Sequence, residues 1–211
     1  MIKAVIFDLD GVIVSTDEQH YLAWKALTDK LGIPFDRQSN NRFRGVSRMA
    51  CMDILEEISG HHFTDEQKVA LATEKNNHYR ALLAQMTEKD VNPIVKISLD
   101  NLRQKGILLA IGSSSKNAKF ILNKIGLGGY FDAVSDGNNI TKSKPNPEVF
   151  LKAAQMLGVL PEQCLVVEDA ISGAQAATNA GMQCATVGDA AKNGYGNYIL
   201  NSFDDLLKVI N

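Results

Sequence analysis

Residues 4–11 read Ala-Val-Ile-Phe-Asp-Leu-Asp-Gly, and this stretch decides how the fold is interpreted. Its first four residues form an apolar run without polar alternation, which is typical of a strand buried on both faces of a sheet. The run ends at two acids, Asp8 and Asp10. On an extended chain residues two apart project to the same side, so these carboxylates are expected to lie close together. They repel each other unless a cation or a shared proton relieves them, although a solvated strand end is the alternative interpretation.

Apolar runs of the same kind recur along the chain, at residues 107–111, 164–167 and 184–187, with weaker ones at 133–134 and 198–200. Helical patterns fill the intervals and end at Gly126, Gly158 and Gly181. Because strands alternate with helices, the sequence predicts an α/β fold, a doubly wound parallel sheet of the Rossmann type with helices on both faces.

Residues 16–85 interrupt this alternation with an all-helical stretch. The tetrapeptide Thr-Asp-Glu-Gln occurs at residues 16–19 and 64–67, and each copy predicts a capping box at a helix start. Ser47 is predicted to open a further helix. We therefore predict a catalytic core of residues 1–15 and 86–211 and a helical module of residues 16–85, with hinges at the two crossings.

The composition excludes several classes of partner. The 211 residues include 22 Lys and Arg and 24 Asp and Glu, for a net charge of −2, so no basic surface for nucleic acid is expected. No apolar run approaches the roughly 18 residues of a membrane span, and the run before Asp8 is too short for a signal peptide. The three cysteines have no metal-type spacing. We expect a cytoplasmic monomer.

Acids also follow the strand predicted at 164–167, where Glu168 and Asp169 repeat the arrangement of the first strand. In a doubly wound sheet, ligands bind at the carboxyl ends of the strands. Four carboxylates at one edge are costly without a divalent cation, and hard oxygen ligands favour Mg²⁺. A role at the N-terminus of the following helix is the alternative for this second pair.

Two segments are candidates for phosphate binding. Residues 113–117, Ser-Ser-Ser-Lys-Asn, combine hydroxyls, a cation and backbone N–H groups at a predicted helix start, although a plain helix cap is the alternative. Lys144 precedes a helix for which Asn146 is the predicted N-cap and Pro147 the first residue. A lysine there opposes the helix dipole unless an anion lies between, and an exposed lysine is the alternative.

The helical insert carries further candidates. His20 and Trp24 lie on one helical stripe, where a partly buried core histidine is the alternative. Arg44 and Arg48 flank Gly45 at a helix start, so they could clamp a second phosphate or be a solvated pair. Lys75 lies in a polar stretch that by itself indicates nothing.

The ordered motifs resemble those of the haloacid dehalogenase superfamily of phosphotransferases; they are residues 7–11, Ser113, Lys144 and Glu168-Asp169. This resemblance covers nearly the whole chain and implies the haloacid dehalogenase fold with a helical cap. Within the superfamily, the resemblance is narrowed to the sugar phosphomutases by residues 20–27, 45–48, 75–76 and 115–117. Ser15 departs from the family pattern, in which an acid is usual at this position. This departure implies a lid that excludes water less well.

The resemblance also implies roles. Asp8 is the expected nucleophile, which forms an aspartyl phosphate, and Asp10 the general acid and base. The expected Mg²⁺ ligands are Asp8, the main-chain carbonyl of Asp10 and Asp169, with Glu168 in support. The transferring phosphate is expected to be held by Ser113, Ser114 and Lys144, and the phosphate that does not react by Arg48, Ser115, Lys116 and Asn117. The pair of cap residues that positions Asp10 and the sugar is expected to be His20 and Lys75. Residues expected at the hinge or the substrate are Thr16, Trp24, Gly45, Val46 and Ser47.

The implied activity is isomerisation of β-D-glucose 1-phosphate to glucose 6-phosphate through a glucose 1,6-bisphosphate, with small sugar phosphates as partners. A hydrolase of the same fold acting on sugar phosphates is the closest alternative. A signalling receiver domain fits less well because it lacks a helical insert after its first strand. A phosphonate-cleaving relative would need a Schiff-base lysine in the cap. Lys25 or Lys75 could be proposed, but Arg48 and residues 115–117 fit a phosphomutase better.

Overall fold

The computed structural model describes residues 1–43 and 46–210, which form two compact units. The first comprises Met1–Ser15 and Thr87–Asn211, and the second Thr16–Met86. The second boundary lies one residue beyond the predicted one. That the second unit acts as a lid stays a prediction.

The second unit is helical, as its periodicity predicts. Its helices are α1 (Asp17–Lys30), α2 (Arg37–Asn41), α3 (Arg48–Ser59) and α4 (Asp65–Leu83). They enclose an apolar core in which the ring of Trp24 meets that of Phe43 edge-on, with 4.9 Å between ring centroids. Met52 and Leu55 of α3 are fully buried in the same core.

Three helix starts of this unit were predicted from capping residues, and two of the three caps are formed. The Ser47 hydroxyl accepts a hydrogen bond from the Ala50 N–H, so the predicted start of α3 is confirmed. Thr64 and Gln67 form the predicted capping box, and α4 ends at Leu83. The box predicted at Thr16 is wrong. Thr16 is the N-cap residue of α1, but its side chain makes no cap hydrogen bond, because its hydroxyl bonds to Tyr79 instead.

The first unit contains a parallel sheet of six strands, which confirms the predicted fold class. The strands are β1 (Ala4–Phe7), β2 (Leu108–Gly112), β3 (Ala133–Ser135), β4 (Cys164–Glu168), β5 (Gln183–Thr186) and β6 (Tyr198–Ile199). Their order is β3-β2-β1-β4-β5-β6, all neighbours being parallel. In register, Phe7 at the end of β1 lies between Ile111 and Val167. The first strand in sequence is thus central in the sheet.

Helices flank this sheet: α5 (Pro93–Gln104), α6 (Ala118–Lys124), α7 (Glu148–Leu157), α8 (Ile171–Asn179), α9 (Gly188–Lys192) and α10 (Leu206–Val209). The core on one side joins Ile6 and Val166 of the central strands to Phe150 of α7. Gly112 is required there, because a Cβ on it would lie 2.7 Å from the Phe150 ring. None of the helices that the structure describes is both long and apolar enough to span a membrane.

Candidate active site

Three carboxylates converge where the two central strands end. Asp8 directly follows β1, Glu168 is the last residue of β4, and Asp169 comes next. The strands are paired in parallel, so both ends lie at one edge of the sheet, and the Asp8 N–H donates to the Val167 carbonyl at 2.9 Å. One carboxylate oxygen from each of the three acids lies within 4.8 Å of the others. All three residues are buried.

Asp10 is not among the carboxylates that converge. The expectation that it lies beside Asp8 assumed an extended chain, but β1 ends at Phe7 and the chain bends at Leu9. Asp10 instead forms a bridge with Val14 and is half-buried. Three of the four acids predicted at this edge thus gather within 4.8 Å of one another, and the place of the Asp10 carboxylate stays a prediction. The predicted metal ligand at Asp10 is its main-chain carbonyl, which is not affected.

Lys144 lies among these acids. Its ammonium Nζ is 2.5 Å from Asp8 Oδ1 and 2.5 Å from Glu168 Oε1, and only 8% of the residue is exposed, which excludes the alternative of an exposed lysine. Burial lowers the pKa of Lys144, but the charges of Asp8 and Glu168 outweigh it and raise that pKa above its ordinary value. The lysine is therefore charged.

The acids themselves carry excess negative charge. Burial raises the pKa of Asp8 well above its ordinary value; the Lys144 ammonium lowers it, and Glu168 and Asp169 raise it further. With all three carboxylates ionised and Lys144 charged, these four side chains would carry a net charge of −2. Buried oxygen donors with this excess charge fit Mg²⁺, which prefers hard oxygen ligands.

Glu168 is held from three directions. Its Oε1 accepts from Lys144, and its Oε2 accepts from the backbone N–H groups of Asp169 and Ala170 at 2.9 Å each. Gly173 of α8 leaves room for this carboxylate, because a Cβ there would overlap it. Gly11 does the same for Asp169: its φ is +91°, and a Cβ would put even the farther carboxylate oxygen at 2.9 Å.

The serine-rich segment forms the loop that leads into a helix, as predicted. Its last residue, Asn117, is the N-cap of α6, which begins at Ala118 and receives no side-chain cap hydrogen bond. The buried Ser113 hydroxyl accepts from the Ser115 N–H at 3.1 Å, and the Ser115 hydroxyl accepts from the Asn117 N–H at 3.1 Å. Each hydroxyl thus supports the loop two residues on, which is the bond pattern of an ST-turn.

The next loop along the sheet holds this segment in place. The Gly137 N–H donates to the Ser115 carbonyl at 3.2 Å, and the Asn138 side chain donates to the Lys116 carbonyl at 3.0 Å. The Lys116 side chain is exposed. Ser114 Oγ is buried and has no hydrogen-bond partner among the described residues, so it retains capacity for a ligand.

Glu148 is a supporting residue that the sequence analysis missed. Its Oε2 accepts from the N–H groups of Thr141 and Lys142 and from the Thr141 hydroxyl, each at 2.9 Å. The Lys142 N–H, the Lys152 ammonium and Thr141 hold the pKa of Glu148 at about 2. Glu148 thereby closes the loop that carries Lys144. An acid four residues after that lysine was the available signal.

The helix after Lys144 starts one residue later than predicted. Glu148 is the first residue of α7 and Pro147 is its N-cap, whereas Asn146 was the predicted cap. The Asn146 side chain still accepts from the Glu148 N–H at 3.1 Å, so it supports the turn from outside the helix. The peptide bond between Lys144 and Pro145 is cis.

The second unit joins His20 to Lys75. The Lys75 ammonium lies 2.9 Å from His20 Nδ1 and packs over the rings of Trp24 and Tyr79, at 4.9 and 4.5 Å from their centroids. An ammonium only donates, so Nδ1 accepts and the proton of the neutral imidazole lies on Nε2. Burial, and then the charges of Lys75 and Arg48, hold the pKa of His20 well below its ordinary value. His20 is therefore a neutral donor through Nε2.

Arg48 is the first residue of α3, and its guanidinium donates to Asn76 Oδ1 at 2.6 Å. Burial lowers its pKa, although a guanidinium stays charged. Val46 and Ser47 before it are exposed, whereas Arg44 and Gly45 lie outside the described residues. Tyr79 is missing from the sequence-based candidates. Its place four residues after Lys75, on the same face of a helix, was the signal for it.

The whole chain has relatives in one family. Residues 2–181 match the family model described as haloacid dehalogenase-like hydrolase. The chain is 40% identical over 188 residues to a β-phosphoglucomutase of Bacillus subtilis (strain 168), covering 88% of this chain and 83% of that protein. It is 34% identical over 183 residues to a fructose-1-phosphate phosphatase of Escherichia coli (strain K12), covering 87% and 95%. A crystal structure of β-phosphoglucomutase from Clostridium difficile superposes with a TM-score of 0.92 at 37% identity, covering 100% of this chain and 96% of that one.

Proposed function

The chain belongs to the haloacid dehalogenase-like hydrolases, and from that premise we propose that it is a Mg²⁺-dependent isomerase that interconverts β-D-glucose 1-phosphate and glucose 6-phosphate. The observation that carries the proposal is the likeness to two β-phosphoglucomutases, one of which matches the chain over its full length, the helical insert included. Lys144 with its two partners Asp8 and Glu168 (the Lys144 triad) and the His20–Lys75 pair supply the groups that such a reaction needs.

The first step is phosphoryl transfer to Asp8. A carboxylate oxygen of Asp8 attacks the phosphorus of β-glucose 1,6-bisphosphate, the bond from phosphorus to the sugar oxygen breaks, and that oxygen takes a proton from Asp10. In the return step the other hydroxyl of a bound glucose monophosphate gives its proton to Asp10 and attacks the aspartyl phosphate. The bisphosphate is regenerated and no phosphate is lost.

Positive charge holds the transferring phosphoryl group. Lys144, buried at the sheet edge, contributes its ammonium, and Ser113 and Ser114 contribute hydroxyl and backbone donors. Asp8, the main-chain carbonyl of Asp10 and Asp169 would hold Mg²⁺, with Glu168 in support. When bound, the ion neutralises charge on the phosphoryl oxygens.

The helical unit is assigned to the part of the reaction that a hydrolase does not need. A mutase must exclude water while the bisphosphate turns over and presents its other end. We assign the non-reacting phosphate to Arg48, Ser115, Lys116 and Asn117. To His20, a donor through Nε2, and Lys75 we assign the positioning of Asp10 and the sugar, and to Thr16 the role of hinge. We assign residues 45–47 to the sugar, whereas Trp24 is buried in the core of this unit and supports the pair by packing against Lys75.

A sugar-phosphate hydrolase is the second candidate function. It is favoured by the likeness to the fructose-1-phosphate phosphatase, which is matched over 95% of its length, and by Ser15 in place of the usual acid. The two functions differ in the fate of the aspartyl phosphate. The site on Asp8 and Lys144 serves both.

One assay separates them. Enzyme, Mg²⁺, β-glucose 1-phosphate and a catalytic amount of glucose 1,6-bisphosphate are mixed, and glucose 6-phosphate and free phosphate are both followed. Glucose 6-phosphate with little free phosphate is the expected result, and stoichiometric free phosphate identifies a hydrolase. Asp8→Ala should abolish either product.

Arg48 supplies a sharper test of the remote phosphate site. Arg48→Ala should lower isomerisation far more than aspartyl-phosphate hydrolysis, because remote binding drives the first reaction and not the second. Arg42→Ala, at an exposed arginine of the same unit paired with Glu57, is the control and should change neither rate. Equal losses in both rates with Arg48→Ala would refute this role.

The surroundings in which we place the enzyme follow from its cysteines and charge. Cys51, Cys164 and Cys184 are buried and free, which suits a reducing cytoplasm. We propose that the enzyme is a monomer and that its partners are small sugar phosphates.

A further inference from the structure

The start of α1 is built differently from that of α4, although both begin with Thr-Asp-Glu-Gln. Thr64 has extended backbone angles (φ −66°, ψ 162°) and forms the full capping box with Gln67. Thr16 has φ −117° and ψ 16°, and its side chain caps nothing. Gln19, the residue that would complete its box, has a buried side-chain oxygen without a hydrogen-bond partner among the described residues. The local sequence favours a box that the fold does not form.

Tyr79 of α4 takes the hydroxyl that would have capped α1. Thr16 Oγ1 and the Tyr79 hydroxyl oxygen are 2.8 Å apart, and the two residues are 0% and 2% exposed. A buried hydroxyl pair of this kind is costly to break, since neither buried hydroxyl can replace the lost hydrogen bond with bulk water. The bond fixes Thr16, the first residue after the chain crosses from the first unit.

The same tyrosine packs on the His20–Lys75 pair. Its ring centroid lies 4.1 Å from that of His20, and the Lys75 ammonium lies 4.5 Å from it. The Thr16 carbonyl in turn accepts from the His20 N–H at 2.9 Å. Thr16, His20, Lys75 and Tyr79 therefore form a closed ring of contacts, in which the tyrosine touches each of the other three.

We propose that Tyr79 is a positioning residue, which holds Thr16 out of the capping-box conformation and thereby sets the hinge and the His20–Lys75 pair for isomerisation. This inference rests on the proposed mutase function. Removal of the Tyr79 hydroxyl takes this competing partner from Thr16, and we expect the local preference for a box with Gln19 to prevail. Because the box requires extended angles at Thr16, its formation would turn the backbone at the crossing and move His20 with it.

Tyr79→Phe tests the proposal with two readouts. We expect kcat/KM for isomerisation to fall about tenfold, which corresponds to about 1.4 kcal/mol, while aspartyl-phosphate hydrolysis is unchanged or faster. We also expect the Gln19 amide to exchange its hydrogen at least about tenfold more slowly, since it gains the Thr16 hydroxyl as acceptor. Tyr21→Phe, at a half-buried tyrosine of α1 whose ring stacks on Phe35, is the matched control and should change neither readout.

The hydroxyl pair is then tested as a unit. Thr16→Val removes the other partner, and the double variant with Tyr79→Phe should lose no more isomerase activity than the greater of the two single losses. Additive losses, unchanged Gln19 exchange in Tyr79→Phe, or parallel losses of isomerisation and hydrolysis each overturn the positioning role. A wild-type enzyme that forms no glucose 6-phosphate would instead overturn the proposed function. The exchange measurement on Gln19 does not depend on that activity.

Discussion

Gly173→Ala adds one methyl group to α8 at the place where Glu168 meets the helix. The Cβ would overlap the Glu168 carboxylate, and even its farther oxygen, Oε2, would lie 2.6 Å away. The end of a glutamate can usually swing aside from such a clash. Here it cannot move freely, because Lys144 and the backbone N–H groups of Asp169 and Ala170 hold it.

The two energetic effects of this substitution have opposite signs. Replacing a helical glycine by alanine stabilises a helix by no more than about 1 kcal/mol. Displacing Glu168, which is 1% exposed, breaks at least one hydrogen bond to a charged group and disrupts a buried ion pair, at about 3–5 kcal/mol. We therefore expect a net loss of about 2–4 kcal/mol. For a chain of this size that lowers the melting temperature by about 10 °C.

Thermal unfolding followed by circular dichroism at fixed Mg²⁺ measures the loss, and the coupled assay measures activity. Both activities should fall, because the Lys144 ammonium loses one of its two carboxylate partners. Gln175→Ala, at an exposed position of the same helix, is the control for the added helix propensity. A melting temperature for Gly173→Ala equal to or above that of the wild type, with full activity, would refute the reasoning.

The remaining predictions concern three other supports. Glu148→Gln should lower the rates of isomerisation and hydrolysis together by about tenfold in the coupled assay, because it loosens the loop that carries Lys144. The control is Glu162→Gln, at an exposed acid. A loss confined to isomerisation would contradict this prediction. His20 has its pKa lowered by burial, so the unfolded chain takes up a proton that the fold excludes. Stability should be complete above about pH 6.5 and fall as the pH drops below that value, and His20→Gln should flatten this fall in urea titrations at about pH 7.5 and 5.5. Thr64→Ala should lower the free energy of unfolding by about 1 kcal/mol in the same titrations, through loss of the α4 cap, and an unchanged midpoint would count against that cap.

The parts of the fold that the sequence predicts well are those governed by local rules. The central strands are buried on both faces, so their apolar runs stand out, and the run at residues 4–7 coincides with β1. Thr64 behaves as its tetrapeptide predicts, because among the described residues no distant side chain bonds to its hydroxyl. Thr16 does not, since a tyrosine 63 positions along the chain takes the hydroxyl. Such competition cannot be seen in a window of four residues.

The candidate site divides in the same way. Acids and a lysine beside strand ends predict the region of the Lys144 triad, because parallel strands bring their carboxyl ends to one edge. The details depend on turns. The chain bends at Leu9, and Asp10 is not among the three carboxylates that gather within 4.8 Å of one another. Glu148 supports a loop whose shape the sequence does not reveal. Residues that act through another side chain are the ones that sequence reasoning misses.

The position of β1 has a consequence for how the protein is made. This strand belongs to the first fifteen residues, yet it pairs with β2, where Ala4 meets Leu108, and with β4, where Ala4 meets Cys164. During synthesis β1 therefore leaves the ribosome before β2 and β4, and it stays unpaired until both have been made. Thr16–Met86 can meanwhile complete its own core. Folding of that segment removes Thr16–Met86 from the flexible chain between β1 and β2, which reduces the entropy lost on pairing. Variants that destabilise the helical segment should then raise aggregation of nascent chains even where the finished sheet is untouched.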